Sequence, residues 1–310
     1  MVAPGPHAAK GIAGYHLEAL VGKGGMAEVY RAIVADGPRA GQRVAVKRLL
    51  PALAGDAGYV ALFEREGEVT RRLRHPAIVE VLETGVSGGA PFIVMEYVDG
   101  RNLRQVLAQC AARGILLPVD FGAYVAHVVA EALAHAHAGT DAAGRPLGIV
   151  HCDVSPSNVF ISRDGGVKLG DFGVALTAGA APNAPGVEPM GKPRYLAPEQ
   201  ILGQTPTPRT DVFALGAVFF ELLTNEPAFP GKDAKEVGQR ILAGTLRAPS
   251  ELRPEVPFAL DEVVLRCVAP DPADRYPSAG AVAADLADRY DPAVGTPLAI
   301  AAVVRGLFGG

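Results

Sequence analysis

The hydrophobic positions of this chain change period once. Between Tyr15 and Val98 they come in short runs rich in β-branched residues, and Leu17–Val21, Ala27–Val34 and Arg43–Leu49 read as strands. One stretch interrupts them. From Ala57 to Arg74 the apolar residues Val60, Phe63, Val69 and Leu73 recur near helical spacing and Pro76 follows, which predicts a helix that ends before the proline. Ala77–Thr84 and Pro91–Val98 then predict the last two strands of a small sheet. After Asp99-Gly100 the period becomes helical. Leu103, Val106, Leu107 and Cys110 mark one face, and Phe121, Tyr124, Val125, Val128, Val129, Ala132 and Leu133 mark a longer buried helix. Val212–Leu223 is apolar nearly all round, as a helix at the centre of a lobe must be. Ala234–Leu242, Ala259–Val268 and Ser278–Tyr290 predict three more amphipathic helices. The pattern predicts an α+β chain with a flexible tail over 1–13 and a small β-rich lobe with one helix over 14–97. A larger helical lobe over 98–290 follows a hinge near Glu96–Gly100. The extension over 291–310 carries a short amphipathic helix, Thr296–Phe308.

Composition changes this picture little. At 310 residues and 49% hydrophobic, the chain can bury a substantial core. A net charge of −4 and a pI near 6.0 give no electrostatic case for nucleic acid or an anionic membrane surface. The first thirteen residues lack the apolar core of a secretory signal, and Leu298–Val304 falls short of the roughly 20 apolar residues of a membrane span. Cys110, Cys152 and Cys267 are odd in number and widely separated, which predicts buried free thiols in a reducing cytoplasm.

The candidate chemistry lies in a few short motifs. His151-Cys152-Asp153-Val154-Ser155-Pro156-Ser157-Asn158 sets an Asp and an Asn five residues apart, and Asp171-Phe172-Gly173 follows. Such a set can accept a proton from a substrate hydroxyl at Asp153 and hold Mg²⁺ on nucleotide phosphates through Asn158 and Asp171. Upstream, Gly22-Lys23-Gly24-Gly25-Met26-Ala27 joins two strands. Glycines there let backbone N–H groups approach phosphate oxygens, and they would equally suit an ordinary hairpin. His135 and His137 are two residues apart on one helix and point in different directions, which argues against a shared metal.

In order and spacing, from about Tyr15 to about Tyr290, these motifs resemble the eukaryotic-like (Hanks-type) protein kinases, most of all their bacterial Ser/Thr members. The resemblance implies a bilobal kinase fold that transfers the γ-phosphoryl group of ATP, with Mg²⁺ or Mn²⁺, to a protein hydroxyl. It assigns Lys47 of Val44-Ala45-Val46-Lys47 to the α- and β-phosphates, held by Glu66, with Glu64 and Glu68 as rivals out of phase. It places Val21, Gly22, Lys23, Gly24 and Gly25 over the phosphates, with Ala27 where the family has its third glycine. Val29, Ala45 and Phe160 would cover adenine, Met95 would be the gatekeeper, and the Glu96 and Val98 backbones would bond the ring. Asp153 becomes the catalytic base, and Asn158 and Asp171 the metal ligands. His151 becomes a structural histidine under Phe172, Asp211 a support of the catalytic-loop backbone, and Glu199 of Ala197-Pro198-Glu199 the partner of Arg275.

Three departures qualify the resemblance. Ser155 stands where the family usually has a Lys, and Lys192 stands where it has a Thr, so a cation and a hydroxyl have exchanged segments. Lys192 therefore joins the catalytic set as a replacement for the missing lysine. Cys152 occupies the position of the Arg that pairs with a phosphorylated activation segment, which implies a non-RD kinase independent of that modification. The loss of the lysine also opens a rival reading, a pseudokinase that serves as a nucleotide-binding scaffold. A small-molecule phosphotransferase is less compatible with the Ala-Pro-Glu segment. Ser/Thr acceptors are favoured over Tyr because Pro156 follows the Ser/Thr pattern. The expected partners are protein substrates, without nucleic acid or a membrane span, and a homodimer stays open.

Overall fold

The computed structural model describes residues 12–141, 143–172 and 191–309, which form two compact units. Residues 1–11 of the tail expected over 1–13, Gly173 and Thr177 lie outside the described residues, while Ile12 of that expected tail is buried and bridges Tyr15.

The first unit comprises residues 12–74 and 79–97. Its elements are β1 (Tyr15–Lys23), β2 (Ala27–Val34), β3 (Arg43–Leu49), α1 (Ala57–Arg72), β4 (Val81–Ser87) and β5 (Ala90–Glu96). The strands form one antiparallel sheet in the order β1-β2-β3-β5-β4. The two-residue period of β3 divides its side chains between faces. Val44 and Val46 pack with Ile12, Ala32, Phe92 and Val94. Leu49 packs on the other face with Ala27, Phe63 of α1, Val81 and Ile93, so Lys47, in phase with Leu49, points to the helix side. Asp56 caps α1 by accepting from the Gly58 and Tyr59 N–H groups, and Arg71 and Arg72 close its negative end.

The strand expected at Ala77–Thr84 is displaced. β4 begins at Val81, and residues 75–78 pack with the second unit. There Ile78 bridges Leu169, whose N–H donates to the Ala77 carbonyl at 2.8 Å. Ala77 and Ile78 are apolar because they are buried away from the sheet, and strand periodicity cannot separate the two cases.

The second unit comprises residues 75–78 and 98–309. A short antiparallel sheet joins β6 (Gly100–Asn102), β7 (Val159–Ser162) and β8 (Val167–Leu169). The helices are α2 (Leu103–Arg113), α3 (Val119–His137), α4 (Pro198–Ile201), α5 (Pro208–Thr224) and α6 (Ala234–Ala243). After them come α7 (Pro249–Leu252), α8 (Phe258–Cys267), α9 (Ala279–Leu286) and α10 (Pro297–Phe308). α5 is buried almost throughout and packs against α3, α8 and α9, as its all-round apolarity requires. α9 stops short of Tyr290, and beyond its end the Arg289 side chain folds back onto the Asp285 carbonyl and carboxylate. α10 docks on α2, where Gln109 and Arg113 donate to the Leu307 and Gly306 carbonyls, groups that the helix end leaves unpaired. No helix among the described residues is long and apolar enough to cross a membrane. Cys110, Cys152 and Cys267 are buried free thiols.

One buried ion pair anchors this unit. Arg275 places Nη1 and Nη2 at 2.8 and 2.9 Å from the two Glu199 oxygens, and its remaining donors reach the Ala269, Pro270 and Arg209 carbonyls. Burial alone would raise the Glu199 pKa, but the Arg275 fork, the Thr210 hydroxyl and a backbone N–H together outweigh it and hold the carboxyl below its ordinary value. A depressed folded-state pKa stabilises above the unfolded value of about 4.3, and the contribution is lost as pH falls through the folded-state value. Arg275→Ala strands the Glu199 charge and should cost about 3–5 kcal/mol at neutral pH, read as the shift in denaturant midpoint. A midpoint within error of the parent would show that the pair is not structural.

Candidate active site

Within the first unit, antiparallel register brings Val29 opposite Lys47 and Ala45 opposite Met95, so these four side chains share the helix-facing side of the sheet. Lys47 Nζ lies 2.5 Å from Glu66 Oε1, with both side chains more than nine-tenths buried. Glu68 instead pairs with Arg72 on the exposed side of α1, and Glu64 is solvent-exposed. Glu96 closes β5 through its N–H to the Glu80 carbonyl and its carboxylate to the Glu80 N–H, both at 2.9 Å.

The Gly loop is held by a 2.8 Å bond from the Gly24 N–H to the Ala27 carbonyl and by the Lys23–Glu28 pair at 3.1 Å. Neither Gly24 nor Gly25 is required by its own packing. A Cβ on Gly24 would meet only the Ala27 oxygen at 3.8 Å, one on Gly25 would meet nothing within 4 Å, and neither has positive φ. The bare backbone therefore leaves space for something outside the fold. Val21 is half exposed beside it.

In the second unit the loop before β7 is clamped from below. Asp211, wholly buried at the start of α5, accepts the His151 and Cys152 N–H groups, both at 2.8 Å. His137 Nε2 lies 2.8 Å from the same carboxylate. His135 turns the other way and stacks on His75. His151 is wholly enclosed: its Nδ1 accepts the Asp153 N–H, its Nε2 faces the Gly170 carbonyl, and its ring lies 4.4 Å from that of Phe172. Cys152 takes a left-handed backbone, φ 65°, and Gln200 donates to its carbonyl.

These supports hold Asp153. The Asn158 amide donates to its backbone oxygen and to Oδ2, both at 2.9 Å, and Lys192 Nζ lies 2.8 Å from Oδ2. The Lys192 N–H adds a bond to Oδ1 at 3.3 Å. Gly191 makes this approach feasible: its φ is 121°, and a Cβ would come within 2.9 Å of Leu196 and 3.1 Å of the Cys152 carbonyl. Because its amide nitrogen is spent on Asp153, Asn158 offers Oδ1 as its hard acceptor. The Gly170 N–H donates to the Asn158 carbonyl at 2.9 Å and so brings the exposed Asp171, φ 62°, next to it. A carboxylate and an amide oxygen carried on neighbouring segments are hard donors of the kind that Mg²⁺ or Mn²⁺ takes. Ser155 is buried, with Oγ 3.3 Å from that of Ser157. Phe160 sits on β7 between Lys168 and Asn102, and Val98 is half-buried before β6.

Residues 15–286 match the protein kinase domain. The chain belongs to the protein kinase family. The tyrosine-protein kinase MasK of Myxococcus xanthus is 36% identical over 269 residues, 87% of this chain and 42% of that protein. The probable serine/threonine-protein kinase PknB of Corynebacterium glutamicum is 38% identical over 282 residues, 88% of this chain and 41% of that protein. The chain thus spans less than half the length of either relative. The crystal structure of the Mycobacterium tuberculosis PknI kinase domain, 30% identical, aligns with a TM-score of 0.65 over 89% of this chain and 96% of that one. The fold is that of a protein kinase.

Two features of this kinase's site were not legible in its motifs. His137, set aside as an unlikely metal ligand, sits on Asp211 and so helps hold the loop that carries Asp153. Tyr195 donates its hydroxyl to Glu221 at 2.6 Å, a pair that no sequence spacing announces.

Proposed function

We propose that this chain is an active Ser/Thr protein kinase that phosphorylates protein hydroxyls from ATP with Mg²⁺ or Mn²⁺. The observation that carries the reading is the state of Asp153, whose carboxylate is oriented by Asn158 and Lys192 while Lys47 and Glu66 form their buried pair. Bound MgATP supplies the γ-phosphoryl group and a divalent charge on its phosphates. Asn158 Oδ1 and Asp171 would hold the cation, and Lys47, kept in place by Glu66, would meet the phosphates. Val21, Gly22, Lys23, Gly24 and Gly25 would offer backbone donors, and Val29, Ala45, Met95, Glu96, Val98 and Phe160 would receive adenine. Asp153 accepts the acceptor's proton as the hydroxyl oxygen bonds phosphorus and the bond to the ADP oxygen breaks.

Ser/Thr specificity rests on the Ser/Thr-type loop through Pro156, and the name of PknB agrees with it. The name of MasK supports a tyrosine alternative. Incubation with labelled ATP, Mg²⁺ and a generic protein substrate, followed by phosphoamino-acid analysis, decides between them. Nucleotide binding without any transfer would favour the pseudokinase scaffold instead.

The same reading makes the kinase independent of activation-segment phosphorylation. Cys152 is a buried free thiol, with no cation to offer, at the position where a phosphate-pairing Arg would stand. Between Asp171 and Glu199 the hydroxyl residues are Thr177 and Tyr195. Tyr195 is tied to Glu221, with its pKa pushed well above the ordinary value by burial and by that carboxylate. Phosphatase treatment and Thr177→Ala should each leave turnover within about twofold of the untreated parent, well under the tenfold of 1.4 kcal/mol. A large loss on removing phosphate from this segment, located by mass spectrometry, would refute the idea.

A further inference from the structure

Beside Asp153 the second unit carries an open groove of about 640 Å³, with Arg104, Ser157, Lys192, Arg194, Glu221 and Lys232 among its lining residues. Its charges are unequally committed. Glu221 takes the Tyr195 hydroxyl, and Asp233, also on the lining, caps α6 by accepting the Glu236 N–H at 2.8 Å. Lys192 is held on Asp153. Arg104, Arg194 and Lys232 are exposed, and among the described residues their side chains make no ion pair.

The fold places these three cations around the groove from separate elements. Arg104 opens α2, where its N–H donates to the Pro156 carbonyl of the catalytic loop at 3.0 Å. Arg194 lies in the short 3-10 turn Pro193–Tyr195, immediately after Lys192, and Lys232 precedes α6. Both guanidiniums act on the Tyr195–Glu221 pair, opposing the upward pKa shift that burial gives Glu221. The groove is thus lined by the four cations Arg104, Lys192, Arg194 and Lys232 against the two carboxylates Glu221 and Asp233, each of which already accepts a hydrogen bond, and it leads to the proposed base through Lys192.

We infer that this groove selects protein substrates whose Ser or Thr acceptor is flanked by Asp or Glu within a few residues, and that Arg104 and Arg194 read those carboxylates. The inference rests on the kinase reading above and names its substrate class. A guanidinium suits the task because its planar fork meets a carboxylate with two parallel bonds, and several cations in a concave site raise the local concentration of an acidic peptide.

The test uses the whole chain and three synthetic peptides that share one central Ser and Thr, flanked by Asp/Glu, by Ala or by Lys/Arg. The acidic peptide should show a kcat/KM at least tenfold above the Ala peptide, mostly through KM, with the advantage shrinking as salt is raised. Arg104→Glu with Arg194→Glu should remove that advantage and improve use of the basic peptide, while turnover of the Ala peptide stays within about twofold, well short of the tenfold that 1.4 kcal/mol represents. Equal use of all three peptides by the parent, or an acidic preference that survives the double charge reversal, overturns the inference and leaves the kinase reading intact. Should no peptide be phosphorylated, the kinase reading is what fails. Fluorescence anisotropy of the labelled peptides still decides the groove: binding of the acidic one, lost on charge reversal, supports it, and no binding overturns it. Thermal unfolding of the variants checks that the exposed substitutions leave the fold in place.

Discussion

Asp153→Asn should lower turnover by about 10²–10⁴-fold, the contribution of a positioned general base, while nucleotide affinity changes little. The geometry explains why this small change acts so strongly. Oδ2 receives two donors, the Asn158 amide and the Lys192 ammonium, and the backbone N–H of Lys192 adds a weaker bond to Oδ1. An amide at position 153 loses the proposed acceptor of the substrate proton, and it must also turn its own NH₂ away from donors that formerly met a carboxylate. The scaffold around it need not move. Asp211 still holds the His151 and Cys152 N–H groups, and the Lys47–Glu66 pair belongs to the other compact unit. Steady-state phosphotransfer and equilibrium nucleotide titration, run on the same preparations, separate the two effects. Parental turnover in the variant would remove Asp153 from the chemistry altogether.

What could be read from the chain alone follows from the range of the forces involved. Asp153, Asn158 and Asp171 stood out because the chemistry proposed for them needs fixed residue types at short spacing, and the closeness of Asp153 and Asn158 was legible because their loop is closed by its own bonds, from Asn158 to Asp153 and from Gly170 to Asn158. Glu66 was legible because helical phase separates it from Glu64 and Glu68. The helices around α5 declared themselves through length and apolarity. The strands β6, β7 and β8 did not, since elements of three or four residues carry too little periodicity to be recognised. Ala77 and Ile78 misled for a different reason: burial looks the same in sequence whichever unit supplies it. The contacts of His137 with Asp211 and of Tyr195 with Glu221 span many residues and depend on how helices pack, which no local pattern records.

Lys192→Ala should lower turnover by roughly 10²-fold, the loss associated with one strong electrostatic contact in the transition state. Lys192 grips Asp153 twice, with its ammonium at 2.8 Å from Oδ2 and its N–H at 3.3 Å from Oδ1, and its side chain stays more than one-third exposed. A cation so placed orients the base and can offset charge that develops beside it, the work that a catalytic-loop lysine at position 155 would do from the opposite segment. Ser155 is wholly buried: its hydroxyl meets that of Ser157, its carbonyl accepts the Asn158 N–H at 2.9 Å, and it supplies no cation to Asp153. The proposed exchange of roles therefore predicts a particular coupling. Ser155→Lys alone crowds a second ammonium beside one carboxylate and should not raise activity. Combined with Lys192→Thr, it restores the ordinary disposition of cation and hydroxyl and should recover part of what Lys192→Thr loses. The recovery should appear in kcat more than in KM, because the contact acts on developing charge and not on peptide binding. A double variant no faster than Lys192→Thr would show that the two positions are independent and that Lys192 does not stand in for the missing lysine.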